Sequence, residues 1–113
     1  MKVLVCGGRD YSNKDYVWGL LDQIHEERAV DMIIHGACRG ADEMAFEWSK
    51  WWSVNARAFP PDWSKHGKAA GPIRNQQMID EGKPDLVVAF PGGRGTADMT
   101  RRARAAGIEV VEA

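Results

Sequence analysis

No stretch of this chain comes near the ~20 consecutive apolar residues that a bilayer-spanning helix needs, so no membrane partner is expected. The opening run Val3-Leu4-Val5-Cys6 is too short for the core of a secretion signal, and Gly7-Gly8 cuts it off. It reads as a strand, and the expected location is the cytoplasm. Cysteine is scarce. Cys6 and Cys38 have no CxxC spacing, which leaves a metal centre without ligands, and in a reducing compartment they are expected as buried free thiols. An excess of either charge is missing as well: the formal net charge is −1, so any attraction for anions has to be local. Room for a second core is also lacking, because 113 residues make one domain, 1–113.

What is present is an alternation of short apolar runs with longer amphipathic stretches, the pattern of a parallel sheet with crossover helices. The strands expected are Lys2–Cys6, Asp31–His35, Val54–Phe59, Asp85–Phe90 and Glu109–Val111. The fold class is therefore α/β, a single Rossmann-like domain whose mostly parallel five-stranded sheet carries helices on both faces. Ser12 or Asn13 can cap a first helix with Val17, Leu20, Leu21 and Ile24 at helical spacing. A second, from about Ala41 to Trp52, puts Ala41, Met44, Ala45, Trp48 and Trp52 on one stripe and leaves Phe46 and Trp51 off it. Two accounts of these extra aromatics stand: packing against the segment holding Pro60, Pro61 and Trp63, or a subunit interface. Exposed aromatic surface usually marks association, and a homodimer or higher homo-oligomer is expected. Pro60 to Pro72 shows no period and reads as a long loop able to close over a ligand. Further helices are expected from Pro72 to Gly82 and from about Thr96 to Ala106.

Three strands end in loops of similar content: Gly7-Gly8-Arg9-Asp10, Gly36-Ala37-Cys38-Arg39-Gly40-Ala41-Asp42, and Pro91-Gly92-Gly93-Arg94-Gly95-Thr96-Ala97-Asp98. In an open parallel sheet these strand ends share one edge, where such folds bind ligands. Glycine lets backbone N–H groups approach an anion, the following helix offers its positive end, and arginine adds a planar fork for phosphate oxygens. The aspartates can orient those arginines or accept ribose hydroxyls. The candidate ligand contacts are Gly7, Gly8, Arg9 and Asp10; Gly36, Arg39, Gly40 and Asp42; and Pro91, Gly92, Gly93, Arg94, Gly95 and Thr96. GxxxxGK[ST] is absent, which disfavours ATP hydrolysis, and GxGxxG is absent after the first strand, which disfavours nicotinamide cofactors. No cofactor and no metal are expected.

Pro91-Gly92-Gly93-Arg94-Gly95-Thr96, preceded by Leu86-Val87-Val88-Ala89-Phe90, resembles the SLOG superfamily, which includes the lonely-guy phosphoribohydrolases with their PGGxGTxxE motif. With Gly7-Gly8-Arg9-Asp10, His35 to Asp42 and Ala70-Gly71-Pro72-Ile73-Arg74-Asn75, the whole chain looks like the small YspA-type members. The resemblance implies a Rossmann-like sheet, frequent dimerisation, and a nucleotide or nucleotide-derived ligand beneath the glycine loop, with Asn75 among the contacts. In the lonely-guy enzymes that glutamate and an arginine on a preceding helix cleave the N-glycosidic bond of a nucleoside 5′-monophosphate. Arg74 occupies a place suited to that arginine. The glutamate position holds Met99, which can neither ionise nor move a proton. Asp98, turned by about 100° on the helix, is the candidate replacement. The pattern thus points first to a protein that senses or sequesters a nucleotide, and second to an enzyme in which Arg74 and Asp98 are catalytic. His35 reads as a hydrogen-bonded structural histidine, with a role near neutral pH as the alternative. The cluster Arg101, Arg102 and Arg104 reads as an exposed face, and a nucleic-acid-binding module is the least favoured class.

Overall fold

The computed structural model describes residues 1–113. The apolar runs form five parallel strands: β1 (Lys2–Cys6), β2 (Met32–His35), β3 (Asn55–Ala58), β4 (Leu86–Ala89) and β5 (Glu109–Glu112). Their order is β3-β2-β1-β4-β5, so the sheet is wholly parallel and the connection from β3 to β4 reverses the direction of winding. That reversal opens a crevice beyond the carboxyl ends of β1 and β4, where the neighbouring loops leave in opposite directions.

Strand alternation builds a core on each face. Val3, Val5, Ile33, Leu86 and Val88 meet Val17, Leu21 and Ile24 of α1 (Lys14–Arg28) and Ala41, Ala45 and Trp48 of α2 (Ala41–Trp51). Leu4, Cys6, Ile34, Val87 and Ala89 meet Met78 and Ile79 on one side, and Met99 and Ala103 of α5 (Arg94–Ala105) on the other. Each fully buried branched side chain contributes roughly 1.5–3 kcal/mol to holding its helix against the sheet. Asn13 is the residue that caps α1, its Oδ1 accepting from the Tyr16 N–H at 3.1 Å.

Two expectations change. The segment from Pro60 to Pro72 is not a loop: it holds α3 (Trp63–His66), a 3₁₀ turn over Gly67–Ala69, and the start of α4 (Ala70–Gln77), which continues into a wider π turn over Met78–Gly82. Pro72 lies inside the first turn of α4, where its missing N–H costs no helical bond. The off-stripe aromatics of α2 do not stack on Trp63: the Phe46 ring lies 5.4 Å from His35 and the Trp51 ring 6.3 Å from Trp18 of α1, while the stripe itself faces α1. Trp48 and Trp52 both donate their indole N–H to Asp22 Oδ1, at 2.8 and 3.0 Å, and His25 lies edge-on to Trp48. Trp51 stays 74% exposed, so packing within the chain covers the off-stripe aromatics only in part. No helix is long and apolar enough to cross a membrane.

Candidate functional site

The three glycine loops press backbone against backbone at the carboxyl edge of the sheet. The Gly8 N–H donates to the Pro91 carbonyl at 2.9 Å, tying the first loop to the third. A Cβ built on Gly92 would lie 2.7 Å from Gly8 N and closer still to Thr96 Oγ1. Gly40, at φ +80°, brings the second loop onto the first, and a Cβ there would stand 2.8 Å from the Arg9 carbonyl. Gly40 and Gly93 are also the residues preceding α2 and α5, and neither has a side chain to cap the first turn. The start of α5, from Gly93 to Ala97, lines one crevice and brings it leading N–H groups and the positive end of a helix dipole.

That crevice is a cleft of about 860 Å³. Its walls carry Gly7, Gly8 and Arg9 from the first loop, Gly36, Cys38 and Asp42 from the second, and Gly93 to Met99 from the third. Arg74 and Asn75 of α4 line it too, with Trp63, Lys68 and Arg101 at its margins. Four arginines and a lysine therefore face two carboxylates, Asp42 and Asp98, which makes the cleft net cationic although the chain is not.

Arg74 is held from below. Its Nη1 donates to the carbonyls of Gly36 and, at 3.3 Å, Phe59, while Nε donates to Asn75 Oδ1 at 3.0 Å. Nη2 makes no hydrogen bond within the chain, so one arm of the fork is left for an acceptor in the cleft. Asp42 is buried beside it, and its Oδ2 accepts from the N–H groups of Gly36 at 3.0 Å and Cys38 at 3.3 Å. Burial raises the Asp42 carboxyl to about 6, against the opposing pull of those two donors and of the Arg74 and Arg9 charges.

A raised carboxyl makes stability fall as pH rises: between 3.8 and about 6 the unfolded chain gives up its proton while the folded chain keeps it. Above that window the folded state carries a penalty on the order of 3 kcal/mol from this group. Asp42→Asn keeps an oxygen for both N–H donors without the charge. It is expected to melt higher than the natural protein at pH 7, with the difference vanishing near pH 4. A variant that melts lower at both values would show that the charge itself holds the loop.

Asp98 is in a different state. Partial burial alone would raise its carboxyl, but hydrogen bonds from Arg102 Nε (2.8 Å) and Asn75 Nδ2 (3.0 Å), with the Arg102 and Arg101 charges, outweigh burial and hold it below the usual range. Arg101 also bonds it directly. A carboxylate saturated by cations is a poor proton carrier near neutral pH. Asp98 and Met99 both border the cleft, and Met99 is at the same time packed into the core beneath α5. Asn75, besides binding Asp98, donates to the Gly95 carbonyl at 3.2 Å, so it braces α5 against α4.

Most of the expected residues meet in the cleft, but five do not line it. Gly40, Pro91 and Gly92 make contacts between the loops, and Pro91 and Gly92 are exposed outside the cleft. Arg39 and Asp10 turn outward and pair with each other at 3.4 Å across exposed surface. His35 is buried away from the cleft: its Nδ1 accepts from the Ala37 N–H at 3.1 Å, its ring lies 5.4 Å from Phe46, and burial lowers its pKa. Cys6 and Cys38 are free thiols that both border the cleft, and burial, followed by the charge of Asp42, pushes Cys6 up to about 12. Trp63, Gly71 and Arg101 were not foreseen as lining residues. Only the helical start of the segment after Pro61 brings Trp63 and Gly71 to the margin.

Comparison with known proteins gives two findings. The model of the YspA, cpYpsA-related SLOG family matches residues 1–66, which include the first two glycine loops. A curated relative, the Gene 61 protein of Mycobacterium phage D29, is 37% identical, and the alignment covers 97% of this chain and 94% of that protein.

Proposed function

We propose, from the premise that the chain belongs to the YspA, cpYpsA-related SLOG family, that it binds a phosphate-bearing nucleotide or nucleotide-derived molecule in the cleft, as a sensor or sequestering protein. Membership in the family supports a nucleotide-related ligand-binding role in general terms. The observation that carries the finer reading is the uncapped start of α5 at Gly93 facing Arg74, whose Nη2 is unengaged. Backbone donors on one side and a planar cation on the other suit a phosphate between them.

A second reading has one specific observation behind it. The Asp42 Oδ1 makes no hydrogen bond within the chain, and this carboxyl changes protonation near pH 6 beside Arg74. It fits the proton-carrying group of a hydrolase better than Asp98 does. In such a reaction a water oxygen bonds to the anomeric carbon as the carbon–nitrogen bond to the base breaks, and the base leaves with a proton.

One panel serves both readings: nucleoside mono- and diphosphates, ribose 5-phosphate, inorganic phosphate and unphosphorylated adenosine. A phosphorylated ligand at a hundred times its dissociation constant is expected to add about 2.7 kcal/mol, seen as a melting temperature raised by roughly 10 °C. Adenosine is expected to do little. No shift with any phosphorylated compound would refute both readings, and chromatography of the same samples for free base decides between them.

A further inference from the structure

A second cavity of about 370 Å³ opens beside the main cleft, lined by Arg9, Ala37, Cys38, Arg39, Pro61 and Trp63. Three of these residues, Arg9, Cys38 and Trp63, belong to the walls of both, so the smaller cavity is an annex sharing the mouth of the larger. Its lining holds two guanidinium groups, one indole and no carboxylate, though Asp10 pairs with Arg39 from outside the lining at 3.4 Å.

Trp63 is unlike the tryptophans of the α1–α2 layer. Trp18, Trp48 and Trp52 each donate their indole N–H to an oxygen of the chain and Trp51 lies with its ring 6.3 Å from Trp18, whereas Trp63 donates to none, has no aromatic neighbour and is half exposed, at 49%. Its position is nevertheless fixed. Pro60 and Pro61 lead into α3, and Asp62 caps it by accepting from the Lys65 N–H at 3.1 Å and the Ser64 hydroxyl at 2.8 Å. Gly67, at φ +55°, ends it, and a Cβ built on Gly71 would lie 3.8 Å from the Trp63 Cη2, so the tip of the indole rests over the start of α4. The short helix is a pedestal that holds an indole at the mouth of a cationic annex.

We infer that the annex seats the planar aromatic end of the ligand, stacked on Trp63 and flanked by Arg9 and Arg39, while the anionic part occupies the main cleft. This rests on the reading of the cleft given above. An aliphatic group would cover the indole but strip water from Arg9 and from Arg39, whose one carboxylate partner is the exposed Asp10, and give them nothing in return. A nucleobase-like ring meets both, because indole and guanidinium each stack on a π face. The annex reads ring character and not a particular base, since stacking tolerates any base.

Calorimetric titration with AMP and with ribose 5-phosphate, which lacks the ring, separates the two parts of the ligand. The natural protein is expected to bind AMP about tenfold more tightly. Trp63→Leu, which keeps apolar bulk without the π face, is expected to erase that preference, read as the ratio of the two affinities; Trp63→Phe is expected to retain most of it. Circular dichroism checks that each variant folds. Equal weakening of both probes in Trp63→Leu, or an unchanged preference, overturns the annex while leaving the cleft intact. If neither probe binds the natural protein, the nucleotide reading of the cleft fails and the annex falls with it.

Discussion

Gly40→Ala is expected to unfold the protein readily, with a loss of roughly 3–5 kcal/mol, because a Cβ at φ +80° is strained and would collide with the carbonyls of Gly8 and Arg9. Such a loss is a large share of the 5–15 kcal/mol that typical domains have in total. Denaturant melts are expected to show it as a midpoint shift at constant slope. Gly95→Ala supplies the contrast. A Cβ there meets nothing within 4 Å, and the position lies in the first turn of α5, so stability is expected to hold or rise by up to about 1 kcal/mol. Yet Gly95 lines the cleft, and the added methyl is expected to weaken the ligand. The pair separates glycines that let loops meet from those that let a ligand approach. Equal stability of the two variants would contradict the packing described for Gly40.

Arg74→Gln is expected to weaken binding of a phosphorylated ligand by roughly 100-fold, measured by calorimetry at fixed salt. A charge-assisted hydrogen bond contributes about 1.5–3 kcal/mol, and the permanent charge facing the anion adds to it. Arg74→Lys keeps the charge but not the fork that reaches Gly36 and Phe59 while leaving Nη2 unengaged, and about a tenfold loss is expected. Undiminished affinity in both variants would reduce Arg74 to a brace between the ends of β2 and β3. Some destabilisation accompanies either change, since the carbonyls of Gly36 and Phe59 lose a donor.

Strands were legible where apolar runs are self-contained. Leu86-Val87-Val88-Ala89 reads as a buried parallel strand from its composition alone, and all four residues are buried. The helix start at Trp63 was not legible, because α3 is one turn long and α4 has Gly71, Pro72, Arg74 and Asn75 where a period would show. Contacts across the fold hold such a segment, and local pattern carries no trace of them. The aromatic layer was half legible: the stripe on α2 was visible, but not that Asp22 would satisfy two indoles at once.

The cleft followed from one topological argument, that strand ends in a parallel sheet share an edge. The shared edge brings Arg9 and Arg94 together, but not Arg39, which turns outward, and Arg74 on α4 is placed by the family resemblance instead. It does not separate residues that line the cleft from those, like Gly40 and Gly92, whose close approach is to another loop. It also could not rank the two aspartates. Asp42 and Asp98 look alike in sequence, but one is buried under two N–H donors and the other is surrounded by arginines.

The strand order has a consequence for how the molecule comes into being. β1, the first strand made, is central, and its two neighbours are separated by much of the chain. Once Ala58 has left the ribosome, β3-β2-β1 can assemble as half a sheet, with the apolar edge of β1 still bare. At ~5–20 residues per second, that edge waits a few seconds for β4. Through this interval the nascent chain presents an unpaired strand, the feature most prone to mispairing. The cleft, which needs Gly8 against Pro91 and the start of α5, cannot form until the third glycine loop has been made.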